Sequence, residues 1–314
     1  MTGALALLLG AALVCAQGHR VLLPLTRCVR IDPHVTMAAW LAGVLGVVVT
    51  TVAGVTLLGL PGHGDLGEML GRLDSCWSAL AHGVIPPWEQ IVALAGALTI
   101  AAFAVRFAVV AVAQTRVRRS QRERYRFLLT VVEATGQGLP QTIWLESSEL
   151  VAFSLSGRPG IVVASKGLRQ QLSPRAVAAT LEHERAHLRE RHQLILDLVD
   201  ALAVALPIAS LFRTAPIALR VSMELAADNA AVRRCGTAAV AEALRAMTTS
   251  PDPGHGLAMA GKATARRLRR PESGRGLLPA PARSLFCLAM AVTSAALPAF
   301  LGLAVLLGTA CSLG

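Results

Sequence analysis

Two histidines, His183 and His187, lie four residues apart with Glu184 between them in the pattern His-Glu-x-x-His. On a helix, positions i and i+4 share one face, so both imidazoles can bind one metal ion, and imidazole suits zinc. Glu184 falls in an otherwise apolar helical stripe that includes Val177 and Leu181. Burying a carboxylate in such a stripe costs free energy, so it indicates a function. Beside a metal-activated water that function is general base catalysis.

A third ligand is predicted 37 residues after His187, at Glu224. The segment 221–232 has the pattern of an alanine-rich helix, in which Glu224 and Asp228 share one face at i, i+4. Small alanines beside them let this helix approach the histidine helix closely. His183, His187 and Glu224 would leave a fourth position open to water, as a catalytic zinc site requires. Asp228 is placed to accept a hydrogen bond from a ligand histidine.

Short elements precede the histidine pattern and position it. Residues 143–145, 151–155 and 161–164 are rich in β-branched and aromatic residues, and turn residues separate them, which predicts three short strands. Ser173 followed by Pro174 predicts a helix start, with serine as N-cap and proline at the first helical position. We therefore expect a small α+β unit around the metal ligands.

The rest of the chain is too apolar for an ordinary soluble enzyme, because 54% of its 314 residues are hydrophobic and only 16% are charged. Four apolar segments predict about four transmembrane helices, the first a short one that could instead be a leader: 3–16, 35–60, 91–113 and 284–309. We expect a mainly α, multi-span fold organised as a membrane domain, a metalloprotease domain and a last span: 1–113, 114–283 and 284–314. The six scattered cysteines disfavour a disulfide scaffold or a cysteine zinc finger.

Basic residues orient these segments. They cluster between the first two spans, after the third span and before the fourth, whereas 61–90 holds only Arg72. The positive-inside rule then predicts a multi-pass protein of the cell membrane, with both termini outside and 114–283 in the cytoplasm. Basic segments on the cytoplasmic side of a membrane protein therefore account for the net charge of +11. We expect the lipid bilayer as a partner and no nucleic acid.

The apolar stretch 194–212 is in tension with the metal site. If it crossed the bilayer, Glu224 would lie on the opposite side from His183, and one ion could not bind both. Asp197, Asp200 and Pro207 weaken a full span. We expect a core or membrane-lying helix with a bend near Pro207.

The His-Glu-x-x-His pattern followed by Glu-x-x-x-Asp at 224–228 resembles the integral-membrane gluzincin metallopeptidases, which include the CAAX prenyl-protein protease and the bacterial heat-shock membrane protease. It is most similar to the antirepressor family, typified by the protease module of beta-lactam sensor-transducers. The resemblance implies Zn²⁺ bound by His183, His187 and Glu224, Glu184 as the group that activates water, Asp228 in support, and a polypeptide substrate added as a strand to the edge 161–164.

The chain departs from that family at two points. Many relatives read Arg-Asp where this chain has Arg191-His192, and we expect His192 on the surface, with a supporting or transition-state role as the alternative. We expect no extracellular penicillin-binding domain after the last span, so antibiotic sensing does not follow from the resemblance. The oxyanion donor is left open among His192, Arg185 and Arg233.

The expected function is membrane zinc endopeptidase activity in regulatory proteolysis of a repressor-like or membrane-associated protein. The alternatives are a signalling receptor that senses through 61–90 and a structural membrane protein with a degenerate protease domain.

Overall fold

The computed structural model describes residues 2–28, 31–59, 87–131, 141–157, 159–249, 267 and 279–313. The chain is mostly helical with one small sheet. The helices are α1 (Thr2–Arg27), α2 (Pro33–Gly59), α3 (Pro87–Val131), α4 (Lys166–Gln171), α5 (Pro174–Arg189), α6 (His192–Ala205), α7 (Ser210–Cys235), α8 (Thr237–Thr249) and α9 (Ala280–Leu313). The strands are β1 (Gln141–Leu145), β2 (Ala152–Leu155) and β3 (Ile161–Ser165).

Within the described residues, four helices are long and apolar enough to cross a membrane, namely α1, α2, α3 and α9. The first apolar segment is longer than the predicted 3–16, because α1 continues through Leu22 and Leu25 to Arg27. Its polar His19 does not end the helix, since the Nδ1 of His19 meets the Ser210 hydroxyl at 3.0 Å. Of the predicted outer segment 61–90, only the last four residues are described.

Glycines let helices α1 and α9 approach each other closely. A Cβ on Gly10 of α1 would come within 2.0 Å of the Pro298 carbonyl oxygen of α9. A Cβ on Gly302 of α9 would come within 2.1 Å of the Ala6 carbonyl oxygen. The α1–α9 contact is therefore backbone against backbone, which is the packing that small residues allow in membrane helices.

The sheet has the strand order β1-β3-β2, with β3 parallel to β1 and antiparallel to β2. All five residues of β3 are buried. The expectation that 161–164 forms the substrate-binding edge is therefore wrong, because β3 is the central strand and both its edges are already paired. The outer strand on the side of α5 is β2, which packs on that helix.

Helix α5 begins as predicted. The Ser173 side chain accepts a hydrogen bond from the Ala176 amide, and Pro174 occupies the first turn. This helix packs against α7 through small side chains, including a buried cluster of Ala186, Ala227 and Ala230. The close packing brings the residues 183–187 and 224–228 to one place.

The stretch 194–212 forms a bent helical hairpin, because α6 ends at Ala205, Pro207 lies in the connection, and α7 begins at Ser210. The predicted bend near Pro207 is confirmed, since proline has no amide to continue the helix. The hairpin tip lies beside the middle of α1, where the Ser210 hydroxyl donates to the Ala16 carbonyl at 2.6 Å. One hydrophobic cluster joins α1, α2, α6 and α7 around Trp40 and Phe212.

Candidate metal centre

Three side chains converge between α5 and α7. The Nε2 atoms of His183 and His187 lie 3.1 Å apart. Each lies 3.5 Å from a carboxylate oxygen of Glu224. These are the three residues within the described part of the chain whose donor atoms cluster closely enough to hold one metal ion.

The donor set fits zinc. Ligand atoms placed tetrahedrally at about 2.0–2.1 Å from zinc lie roughly 3.3 Å apart, close to the separations found here. Glu224 is also 40% exposed toward the cavity in front of the histidines, so a substrate can approach the cluster. Two imidazoles and one carboxylate with an approachable side match the donor set of a catalytic zinc site.

A buried carboxylate and an arginine support His183 from behind. The Nδ1 of His183 lies 3.0 Å from Asp228 Oδ1, and the Asp228 side chain is buried. Arg267 donates from Nε and Nη2 to the two oxygens of Asp228, at 2.8 and 2.9 Å. Its Nη1 lies 3.0 Å from Glu224 Oε2. Arg267 therefore contacts both the Glu224 carboxylate and the carboxylate that faces the Nδ1 of His183.

His192 supports the other histidine. The expectation that it lies on the surface is wrong, because His192 is only 1% exposed. Its Nδ1 lies 2.8 Å from the Nδ1 of His187, and its Nε2 lies 3.1 Å from Glu190 Oε2. It is buried because helix α6 begins with it directly after α5 ends, which turns the side chain back toward His187. With both ring nitrogens engaged, His192 is not free to act as oxyanion donor.

Glu184 contacts the sheet and lies near the three clustered side chains. It lines a cavity of about 360 Å³ together with Phe153 and Ser154 of β2, and its carboxylate interacts with the Ser154 hydroxyl. The three clustered side chains of His183, His187 and Glu224 line the same cavity.

The charges in the cluster are strongly coupled. Burial alone would lower the pKa of His183, but the carboxylates of Asp228 and Glu224 raise it to about 10. Burial and the neighbouring His183 cation lower the pKa of His187 to about 3. Burial raises the pKa of Glu184 and outweighs the opposite influence of His183. The two imidazoles therefore hold one extra proton between them, in the place that a divalent cation would take.

The carboxylate at position 224 stays ionised in this environment. Burial alone would raise the pKa of Glu224, but the hydrogen bond with His183 and the charge of Arg267 lower it below its ordinary range. The same guanidinium lowers the pKa of Asp228 against the effect of burial. Both groups are thus available as anions, one facing the cluster and the other facing His183.

Arg267 is the residue that sequence reasoning missed. It belongs to the cluster of basic residues before the last span, and the positive-inside rule accounts for that cluster without a role in the site. Neither Arg185 nor Arg233 lines the cavity, whereas Arg267 does. Arg185 instead reaches β1, with its Nη2 3.5 Å from the Thr142 hydroxyl. The one sequence signal for Arg267 was the excess of acidic groups at Glu184, Glu224 and Asp228, which need a cation.

Residues 118–261 match Peptidase family M48. The match covers just under half of the chain and includes the three clustered side chains, Glu184 and Asp228, whereas Arg267 lies beyond it. The match supports the interpretation of this chain as a metallopeptidase related to that family. Members of the family are generally zinc-dependent and act on polypeptides. No solved structure gives a significant match to the chain.

Proposed function

We propose that this protein is a membrane-embedded zinc metalloendopeptidase that hydrolyses peptide bonds at the cytoplasmic face. The observation that carries the proposal is the convergence of His183, His187 and Glu224 at separations that fit tetrahedral zinc. These three residues would hold the ion. Bound there, zinc would supply Lewis-acid polarisation of a peptide carbonyl and acidify a water molecule.

Glu184 is the general base in this proposal. Its carboxylate takes a proton from the attacking water and passes it to the nitrogen of the leaving amine. The burial that raises the pKa of Glu184 also makes its carboxylate a stronger base. Ser154 of β2 keeps the carboxylate turned toward the place where an extended substrate would lie.

Strand β2 is the edge on which we place the substrate. It pairs with β3 on one side, and in the described part of the sheet its other edge has no partner strand. An extended peptide can add there through backbone hydrogen bonds, with alternate side chains in the cavity. Phe153 and Ser154 of β2 line that cavity beside Glu184.

Arg267 is the cation best placed to assist peptide hydrolysis. Its three contacts with Asp228 and Glu224 use three of its five N–H groups. Among the described residues nothing else takes its two remaining N–H groups, so they can donate to a substrate carbonyl in the cavity that Arg267 lines. Its first role is to keep Asp228 against the Nδ1 of His183, which fixes the orientation of that imidazole.

The hairpin of α6 and α7 supports a site at the membrane surface. Its outer side exposes Leu198, Val204 and Ile208, the last of them 91% exposed. Arg106, in the middle of the apolar helix α3, donates to the Val204 carbonyl at the end of α6. We therefore place the hairpin tip within the bilayer and the metal centre at its cytoplasmic border, with both termini outside. The resemblance to antirepressors favours a repressor-like or membrane-associated protein as substrate.

Metal content and peptide hydrolysis of the full-length protein test the proposal together. We expect one zinc per chain in the wild type and loss of zinc in Glu224→Ala. Glu184→Gln keeps its zinc and loses hydrolysis by about 10²–10⁴-fold, since it removes only the base. The control is Glu146→Gln, which alters an acidic residue paired with Lys166 outside the cavity. A wild type that binds no zinc or hydrolyses no peptide would favour the degenerate protease instead, and an active Glu184→Gln would exclude Glu184 as the base.

A further inference from the structure

A chain of hydrogen bonds connects the start of helix α2 with His187. The Nδ1 of His187 meets the Nδ1 of His192 at 2.8 Å, and the Nε2 of His192 meets Glu190 Oε2 at 3.1 Å. The same oxygen of Glu190 lies 3.0 Å from the Nε2 of His34, and the Nδ1 of His34 lies 3.1 Å from Asp32 Oδ1. We call Asp32, His34, Glu190 and His192 the support chain.

The polarity of these bonds follows from its two carboxylates, Asp32 and Glu190, which accept hydrogen bonds and cannot donate them. His34 faces a carboxylate at each ring nitrogen, so it donates from both and carries both protons. His192 donates from Nε2 to Glu190, which leaves its Nδ1 as an acceptor. That acceptor takes the Nδ1–H of His187 and leaves the Nε2 of His187 unprotonated toward Glu224. The Glu190 carboxylate thereby sets the tautomer of His187 through His192.

The backbone is bent to make this contact. Arg191, between Glu190 and His192, has φ 52 and is the one non-glycine residue with positive φ among those the structure describes. Side chains disfavour this left-handed conformation, so the surrounding contacts must hold it. The result is that Glu190 and His192, two residues apart, point toward each other at the junction of α5 and α6.

The end of the support chain that lies farthest from His187 belongs to the start of helix α2. Asp32 is buried and caps α2, since its Oδ1 accepts from the His34 amide at 2.9 Å while Pro33 occupies the first position. His34 is therefore held by the helix start rather than by a flexible loop. The contact between His34 and Glu190 joins positions 156 residues apart in the sequence.

We propose that Glu190 and His34 are positioning residues of the metal centre, which act through His192 to hold the His187 imidazole. Helix α2 thus supplies part of the support for a metal ligand, although α2 contributes no ligand itself. This inference rests on the proposed function, because it requires His187 to bind zinc.

The zinc dissociation constant of the full-length protein, measured by competition with a chromophoric chelator, tests the proposal. We expect Glu190→Ala to weaken zinc binding about 10–100-fold, the usual effect of losing such a supporting partner. Glu190→Gln, which keeps the side-chain volume, and His34→Gln weaken it less. The matched control Glu146→Gln leaves it unchanged. The visible absorption of Co²⁺ bound in place of zinc shifts in the Glu190 variants, because the angle of the His187 imidazole changes.

A double-variant cycle separates positioning from a general structural role. In a His192→Ala background, Glu190→Ala should weaken zinc binding further by less than about threefold, because the residue through which Glu190 acts is gone. An equal loss in both backgrounds, or an unchanged constant in Glu190→Ala, overturns the proposal. Two zinc ions per chain in the wild type and one in Glu190→Gln would make Glu190 a ligand and also overturn it. If both Glu190 variants fail to fold by circular dichroism, Glu190 is a folding residue and the proposal is wrong. A wild type that binds no zinc refutes the proposed function instead.

Discussion

Replacing Arg267 with alanine should destabilise the protein far more than replacing a second arginine with similar contacts. Arg267 bonds both oxygens of Asp228, whose side chain is 4% exposed, and its own side chain is 22% exposed. Removing one partner of a buried ion pair costs about 3–5 kcal/mol, because the other charge is left without compensation. The partial exposure of Arg267 places our expectation at the lower end, near 3 kcal/mol.

Arg220 is the matched control, since it also bonds both oxygens of one aspartate, Asp200, at 2.7 and 2.8 Å. Its side chain is 48% exposed, so Arg220→Ala should cost only about 0–1 kcal/mol. Denaturation in detergent, followed by circular dichroism with chelator present, gives both values without a contribution from bound metal. Adding Asp228→Asn to Arg267→Ala should recover part of the loss. Equal losses of unfolding free energy for Arg267→Ala and Arg220→Ala would show that the burial of Asp228 does not make its ion pair more important than an exposed one.

Three further changes test the packing, a helix cap and the hairpin. Gly302→Val should prevent α1 and α9 from approaching, and a loss of thermal stability in detergent checks this; unchanged stability would contradict the packing. Glu242 accepts two hydrogen bonds from Ser173, and these lower the pKa of its carboxyl group. The contribution of Glu242 to folding stability is therefore present above the ordinary pKa of about 4.5 and is lost as the pH falls below that value. The stability difference between wild type and Glu242→Gln should therefore shrink in acid, and a constant difference would count against the cap. Arg106→Leu leaves the Val204 carbonyl without its donor and should lower the free energy of unfolding in detergent by about 1 kcal/mol or more. An unchanged free energy of unfolding would show that this contact does not stabilise the hairpin.

Local patterns predicted the parts of the site that depend on short spacings. His187 follows His183 by four positions, and Asp228 follows Glu224 by four, so helix geometry alone places each pair on one face. Ser173 and its following proline marked the helix start for the same local reason. Their convergence was expected, and the structure brings these side chains together, while their roles in catalysis remain predictions.

Features that depend on distant contacts could not be predicted. The sequence does not say which strand lies between the other two. The resemblance implies an edge at 161–164, whereas β3 is the central strand. His192 follows a run of charged residues, and only the left-handed turn at Arg191 buries it. Arg267 follows Asp228 by 39 residues, and its partners decide its role.

X-ray absorption at the zinc edge of the purified full-length protein shows directly whether His183, His187 and Glu224 bind zinc. We predict one zinc per chain with two imidazole nitrogens and oxygen as the remaining ligands, at about 2.0–2.2 Å and with no sulfur. A spectrum that contains sulfur ligands at about 2.3 Å, or one that still shows two imidazoles after His183→Ala, would contradict it.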